Sequence, residues 1–280
     1  MNVHSLYAHL NYAEIKKEIP LVLADLHMRT RQSDFTRFLV LSRSRTGSTM
    51  LRSALDSHPH IVMYGEMLAK AGAAHGLYSY APVYLEKLRR EDPIRFLETI
   101  IFRAFPTFIT HVGFKLFYYH ARNWGEKSEA VWHYLQEMDN LHIIHLIRRN
   151  SLAMYVSRTL VNQTGEWVSR KSKRAPNTRP ITVILDYDSC LKEFEEYAKQ
   201  KKEAENFFAN KPLIRIYYED LCNDFDSVIN QLQSFLKVEL HSVAPKTEKQ
   251  SPGRLSQRIK NYDELRERFQ DTPWSCYFDA

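Results

Sequence analysis

The stretch 42–51, S-R-S-R-T-G-S-T-M-L, constrains the fold of this chain more than any other. A short bulky run, 38–41, precedes it, and Met50, Leu51, Ala54 and Leu55 follow at helix-like spacing up to Ser57. A strand, a tight polar loop around Gly47 and a helix opening on Ser48 and Thr49 fit all of this. The first turn of such a helix leaves backbone N–H groups without partners, and the aligned peptide dipoles add partial positive charge there. Anions bind at such places. The hydroxyls of Thr46, Ser48 and Thr49 can add hydrogen bonds, and Arg43 and Arg45 can add charge-assisted ones. The loop lacks the first glycine and the lysine of the G-x-x-x-x-G-K-[ST] triphosphate loop, and the next strand leads to Tyr64-Gly65-Glu66 where a magnesium-holding aspartate would be needed. These departures speak against an ATPase or kinase.

Further short, bulky runs lie at 112–117, 141–147 and 213–218, and helical stretches at 93–105, 128–138, 151–161, 189–208 and 225–236. Strands alternating with helices predict an α/β fold: a single P-loop-like domain with a central parallel sheet flanked by helices. A chain of 280 residues with 44% hydrophobic side chains can bury a core of that size. Residues 1–36 read as a polar helical extension, with Tyr12, Ile15, Ile19 and Leu23 at helical spacing, and the domain proper as 37–280. The extension would pack on the core or on a second subunit, so a homodimer is the expected oligomer.

The formal charge of +6 favours anionic partners. No recognised nucleic-acid motif accompanies it, so nucleic acid is not an expected partner. The segment 169–180 (SRKSKRAPNTRP) reads as an exposed loop, either a solvated linker or a lid touching an anionic substrate. Cys190, Cys222 and Cys276 stand far apart, which argues against a zinc site and a disulfide framework. No metal-ligand spacing links the histidines and cysteines, and no metal is expected. The apolar run at 21–24 is too short for a signal peptide, and nothing approaches the roughly 18 apolar residues of a membrane span. A cytoplasmic protein, or a domain excised from something larger, is the expectation these features carry.

The run 141–147 leads directly into Arg148, Arg149 and Asn150, then into a helix carrying Ser157. Ligands of open α/β sheets bind beyond the carboxyl ends of strands. Ser157 lies about two helical turns beyond the arginines, on a similar face. A second phosphate can be gripped there, by Arg149 in preference to Arg148. Together, R-T-G-S-T-M-L with L-D-S-H-P-H-I and Y-G-E, and L-I-R-R-N-S-L-A-M-Y-V-S continuing to Q-T-G-E-W, resemble the sulfotransferases that use 3′-phosphoadenosine-5′-phosphosulfate (PAPS). The likeness is greatest to the bacterial carbohydrate sulfotransferases of the trehalose and Nod-factor type, with kinship to tyrosylprotein sulfotransferases. It spans about residues 38–269, with poor register over 68–109 and 169–188, where acceptor specificity is expected. The resemblance implies PAPS as donor, its 5′-phosphosulfate held by Arg45, Ser48 and Thr49. It implies a 3′-phosphate held by one of the two arginines with Ser157, and a late basic loop with Lys249 and Arg254 near the nucleotide. Residues 218–221, Y-E-D-L, match as well and are expected to be structural. The implied acceptor is a hydroxyl, carbohydrate or lipid-linked.

Sulfuryl transfer is an in-line displacement that needs both oxygens positioned, the leaving phosphate neutralised and the acceptor's proton removed. Arg45 and the loop N–H groups would neutralise the leaving group. Glu66, after a glycine that lets backbone pass close to a ligand, is the expected general base, as the resemblance also implies. His58 in the D-S-H-P turn and His120 after the 112–117 run are rival bases, although a lone histidine beside apolar residues is more often a packed one. Lys115 could reach the sulfuryl oxygens, although a lysine near a strand end usually faces solvent. The competing readings are a magnesium-dependent P-loop kinase, a nucleic-acid-binding module and a catalytically dead binder of adenosine bisphosphate.

Overall fold

The computed structural model describes residues 30–69, 82–122, 124–165, 181–245 and 254–278. The expected N-terminal helix, the basic segment 169–180, Glu166, Trp167 and Lys249 lie outside the described residues. A small antiparallel pair, β1 (Arg31–Gln32) with β4 (Phe105–Pro106), flanks the main sheet. That sheet consists of β2 (Thr36–Ser42), β3 (Ile61–Tyr64), β5 (His111–Phe117), β6 (Leu141–Ile147) and β7 (Leu213–Tyr217). Every pairing in it is parallel, in the order β3-β5-β2-β6-β7. The chain leaves β2 towards β3 on one side and leaves β6 towards β7 on the other. Adjacent strands whose connections diverge open a crevice at their carboxyl ends, and here it lies between the loops after β2 and β6.

Successive strand residues face opposite sides of the sheet, so each bulky run feeds two cores. Leu39, Leu41, Phe114, Leu116 and Ile143 enter one; Phe38, Val40, Met63, Ile144 and Leu146 enter the other. The second core is closed by α1 (Ser48–Asp56) through Leu51, Ala54 and Leu55, and by α8 (Phe225–Leu236) through Ile229 and Leu232. The first is closed by α3 (Pro93–Phe96), α4 (Glu126–Glu137) and α6 (Tyr187–Phe207). A third cluster joins α5 (Ser151–Thr164) to α6 and the C-terminal segment through Leu152, Val156, Phe194, Phe269 and Phe278. Asn150, Asp186 and Asp224 start α5, α6 and α8 by accepting a backbone N–H three residues on.

The observed elements differ from the sequence reading at several places. The expected helix 93–105 breaks after α3 into a π turn, Leu97–Ile101, closed by the Phe102 N–H donating to the Leu97 carbonyl at 2.7 Å. Leu97, Ile101 and Phe102 are buried there, while Glu98 and Thr99 face solvent. The helix α2 (Pro82–Glu91) is not announced by apolar periodicity, because Glu86, Lys87, Arg90 and Glu91 dominate it. The domain also begins before residue 37: Phe35 is buried and Thr36 pairs with His111 in β2.

Gly113 sits opposite Phe38 in the β2–β5 register, where an added Cβ would stand 2.6 Å from the Phe38 carbonyl oxygen. Since backbone cannot yield as a side-chain tip can, Gly113→Ala should destabilise the protein by about 1–3 kcal/mol. Urea unfolding tests this, and an unchanged midpoint would refute such close packing.

Candidate active site

Between β2 and α1 the chain turns through two left-handed residues, Arg45 at φ 70° and Gly47 at φ 82°. Left-handed backbone is uncommon outside glycine, so the arginine must be held in place by its surroundings. The Thr46 hydroxyl donates to the Arg43 carbonyl at 2.8 Å, and Arg148 Nη1 donates to the Arg45 carbonyl at 3.0 Å. Glycine is required at 47 for a second reason. A Cβ there would stand 2.5 Å from Cδ2 of Tyr218, whose ring also lies under the Arg148 guanidinium, 4.5 Å from its centroid. Arg45 Nε donates to Ser157 Oγ at 3.0 Å. The two basic motifs, far apart in sequence, are thus in direct contact across the β2–β6 crevice.

Burial holds Arg45 below the usual guanidinium range, with the charge of Arg148 as the second cause. Arg148 is lowered by burial too. Lys115 is lowered by burial in spite of the opposing pull of Glu66, and Arg52 and Arg45 push it the same way. Cations that lose hydration and repel one another make a site that an incoming polyanion relieves.

Glu66 is brought to this loop by the sheet itself. The Lys115 N–H donates to the Gly65 carbonyl at 3.0 Å, extending the β3–β5 ladder past Tyr64 and setting Glu66 beside Lys115. Lys115 Nζ lies 2.9 Å from Glu66 Oε1 and 3.2 Å from Thr49 Oγ1, linking the carboxylate to the phosphate loop. Lys115, a candidate contact weighed against the usual solvent-facing lysine, is only 4% exposed, because helices cover both faces of the sheet and its ammonium turns to this polar cluster. His120 contributes from the turn after β5. Its Nδ1 accepts the Phe117 N–H at 3.1 Å, which leaves the ring proton on Nε2, 3.8 Å from Glu66 Oε2. Burial, then Lys115 and Arg89, pushes its pKa down to about 3. That bond occupies the Nδ1 lone pair and leaves Nε2 on the side of Glu66.

Other expected residues are placed differently. His58 is fully buried before β3, at the opposite edge of the sheet, with Nε2 on the Glu239 carbonyl at 2.8 Å and Nδ1 accepting the His60 N–H at 3.1 Å. It is a packed histidine outside the crevice. Arg43, expected among the ligand contacts, is 7% exposed and turned inward, with Nη2 donating to Glu193 at 3.1 Å and Arg158 on the same carboxylate. Arg148 is committed to the loop carbonyl, whereas Arg149 is half exposed and held by Asp220 through bonds of 2.6 and 2.8 Å. Ser48 and Thr49 open α1 as expected, and Arg254 is exposed at the start of the last described segment.

The sequence reading gave Y-E-D-L no individual roles, and the structure supplies four. Tyr218 packs on Gly47, Glu219 accepts the N–H groups of Arg149 and Asn150 at 3.1 and 3.3 Å, Asp220 binds the Arg149 guanidinium, and Leu221 enters the core. Adjacent carboxylates straight after a strand, in a chain with an arginine pair after another strand, are the signal that could have shown this.

Among known proteins, nodulation protein H of Rhizobium tropici is 26% identical over 251 residues, covering 86% of this chain and 92% of that relative. Nodulation protein H of Rhizobium meliloti is also 26% identical, over 248 residues, with 86% and 94% covered. A crystal structure of a sulfotransferase from Alicyclobacillus acidocaldarius overlaps 87% of this chain and 94% of its own at 16% identity, with a TM-score of 0.48. The profile of the Sulfotransferase family matches residues 38–242, a span holding the loop, Glu66, Lys115, the arginine pair and Ser157. More than half of the chain is matched, and the protein belongs to the sulfotransferase family of enzymes.

Proposed function

We propose that the protein transfers the sulfuryl group of PAPS to a hydroxyl of a carbohydrate-type acceptor, with Glu66 as general base. The observation that carries this reading is the link from Glu66 through Lys115 to Thr49, at 2.9 and 3.2 Å. It puts a proton acceptor and a buried cation at the mouth of an anion-binding loop. The N–H groups opening α1, with Arg45 and Thr49, would hold the 5′-phosphosulfate. The acceptor oxygen forms its bond to sulfur as the bond from sulfur to the 5′-phosphate oxygen breaks, and the hydroxyl proton passes to Glu66. The products are a sulfate ester and adenosine 3′,5′-bisphosphate. Lys115 and Arg45 offset the negative charge that grows on the leaving phosphate.

For the 3′-phosphate, Arg149 is the better contact. Its only side-chain ion pair among the described residues is with exposed Asp220, and such pairs exchange at little cost. Arg148, committed to the loop carbonyl and stacked on Tyr218, supports the fold of the site. The carbohydrate class of acceptor rests on the resemblance of the loop and of Q-T-G-E-W to the bacterial carbohydrate sulfotransferases.

Calorimetry with adenosine 3′,5′-bisphosphate should show micromolar binding that Arg45→Ala abolishes; preference for magnesium-ATP would overturn the donor assignment. Glu66→Gln should lower kcat by about 10²–10⁴-fold while leaving bisphosphate affinity nearly unchanged. Normal turnover in that variant would remove Glu66 from the base role. Arg149→Ala should weaken the bisphosphate by roughly 10- to 150-fold and leave the 3′-dephospho analogue unaffected. Arg148→Ala should weaken both, and equal losses in the Arg149 variant would contradict the split of roles.

A further inference from the structure

The amino edge of the sheet, opposite the crevice, holds a second cluster that sulfuryl transfer does not use. His58 and His60 come from the turn between α1 and β3, and Glu239 and His241 from the segment after α8. Glu239 Oε2 lies 3.4 Å from His241 Nε2 and 3.8 Å from His60 Nε2, and the three potential ligand atoms lie within 4.8 Å of one another. We propose that His60, Glu239 and His241 form a binding site for a divalent transition-metal ion, with zinc the best fit, that ties the segment after α8 to the turn before β3.

Geometry and hydrogen bonding both support this site. Bonds of about 2.0–2.1 Å in a tetrahedron separate neighbouring ligand atoms by roughly 3.4 Å; Glu239 already has that spacing to His241 and is slightly beyond it from His60, while the two imidazole nitrogens, within 4.8 Å of each other, must draw together. Glu239, with its side chain 72% exposed, can close its own gap, and His241, whose Nε2 holds no hydrogen bond among the described residues, can turn to close the other. His60 Nδ1 lies 2.7 Å from the Phe108 carbonyl oxygen, which fixes the ring proton there and turns the Nε2 lone pair towards the cluster. A ligating histidine is held in the same way, by a carbonyl on its other nitrogen. His241 is bracketed by Gln233, which accepts its N–H at 2.6 Å and donates to its carbonyl at 3.1 Å. His241 Nε2 is buried and has no hydrogen-bond partner among the described residues. His58 spans the two segments, bonding the Glu239 carbonyl with one nitrogen and the His60 N–H with the other, so the ligand-bearing backbones are already fixed against each other.

The donor set selects the ion. Two imidazoles and one carboxylate suit zinc and its borderline neighbours, whereas calcium and magnesium prefer oxygen cages. Three protein ligands leave a fourth position for water. The strand β5, seven residues long, puts about 20 Å between this edge and the crevice, so the ion would act on the fold and not on the transfer step. No spacing in the sequence announces the group, because His60 and Glu239 meet only in the folded chain.

The test uses the full chain stripped with chelator and titrated with zinc. One equivalent per chain should bind, with a rise in Tm of about 5 °C at a hundredfold excess over Kd. Cobalt in its place should give the intense visible absorption of a low-coordinate ion. Glu239→Gln and His241→Ala alter exposed or half-exposed side chains, so they should keep the fold, the zinc-free Tm and kcat. Each should weaken zinc binding by at least about 100-fold and remove the Tm rise. Absence of equimolar binding in the parent, or binding and a Tm rise retained in both variants, would overturn the proposal.

Discussion

The absence of a side chain at Gly47 is the constraint on which the carboxyl edge of this protein depends. It lets the Tyr218 ring close against the loop, and the ring in turn supports the Arg148 guanidinium, which holds the carbonyl of left-handed Arg45. Each contact presupposes the one before it. Tyr218 directly follows the edge strand β7, Arg148 directly follows β6 and the loop follows β2, so the ends of strands that are neighbours in the sheet converge on one turn of backbone. The strain stored at Arg45 is compensated by this stack and by the bond to Ser157.

Electrostatics runs against stability in the same place. Arg45, Arg148 and Lys115 all lose solvation, and Arg45 and Arg148 also oppose each other. Carboxylates offset this only in part: Glu66 serves Lys115, Glu193 serves Arg43 and Arg158, and Asp220 serves Arg149. Removing Glu66 or Glu193 would strand a buried charge, so these two acids support the fold, whereas the exposed Asp220 can be lost at little cost. A protein that concentrates cations in this manner is least comfortable when empty.

The legible parts of the sequence were those where one physical rule acts alone. Runs such as 141–147 are apolar on both faces because a covered parallel sheet requires it, and the structure gives β6 those bounds. The turn at Gly47 announces itself by residue type. The obscure parts depend on tertiary placement. Lys115 looks like a surface lysine until both faces of its strand are covered, and no pattern in the sequence shows that His120 Nδ1 accepts the Phe117 N–H. Arg148 and Arg149 are indistinguishable as letters, and only Tyr218 and Asp220 separate them. The π turn after α3 is wider than the 3.6-residue period that patterning assumes, so periodicity cannot report it.

The pair between Arg149 and Asp220 bears on how a ligand would come and go. If Arg149 takes a phosphate, the Asp220 carboxylate, already 2.6 Å away, is a resident place-holder. An arriving anion displaces it, and a departing one is replaced by it at once, so the guanidinium never stands bare in water. Ligand exchange at that corner becomes a substitution of one anion by another. Its rate is then governed by how readily a tethered acid swings back, a property set by α7 (Tyr218–Asn223), outside the reacting centre.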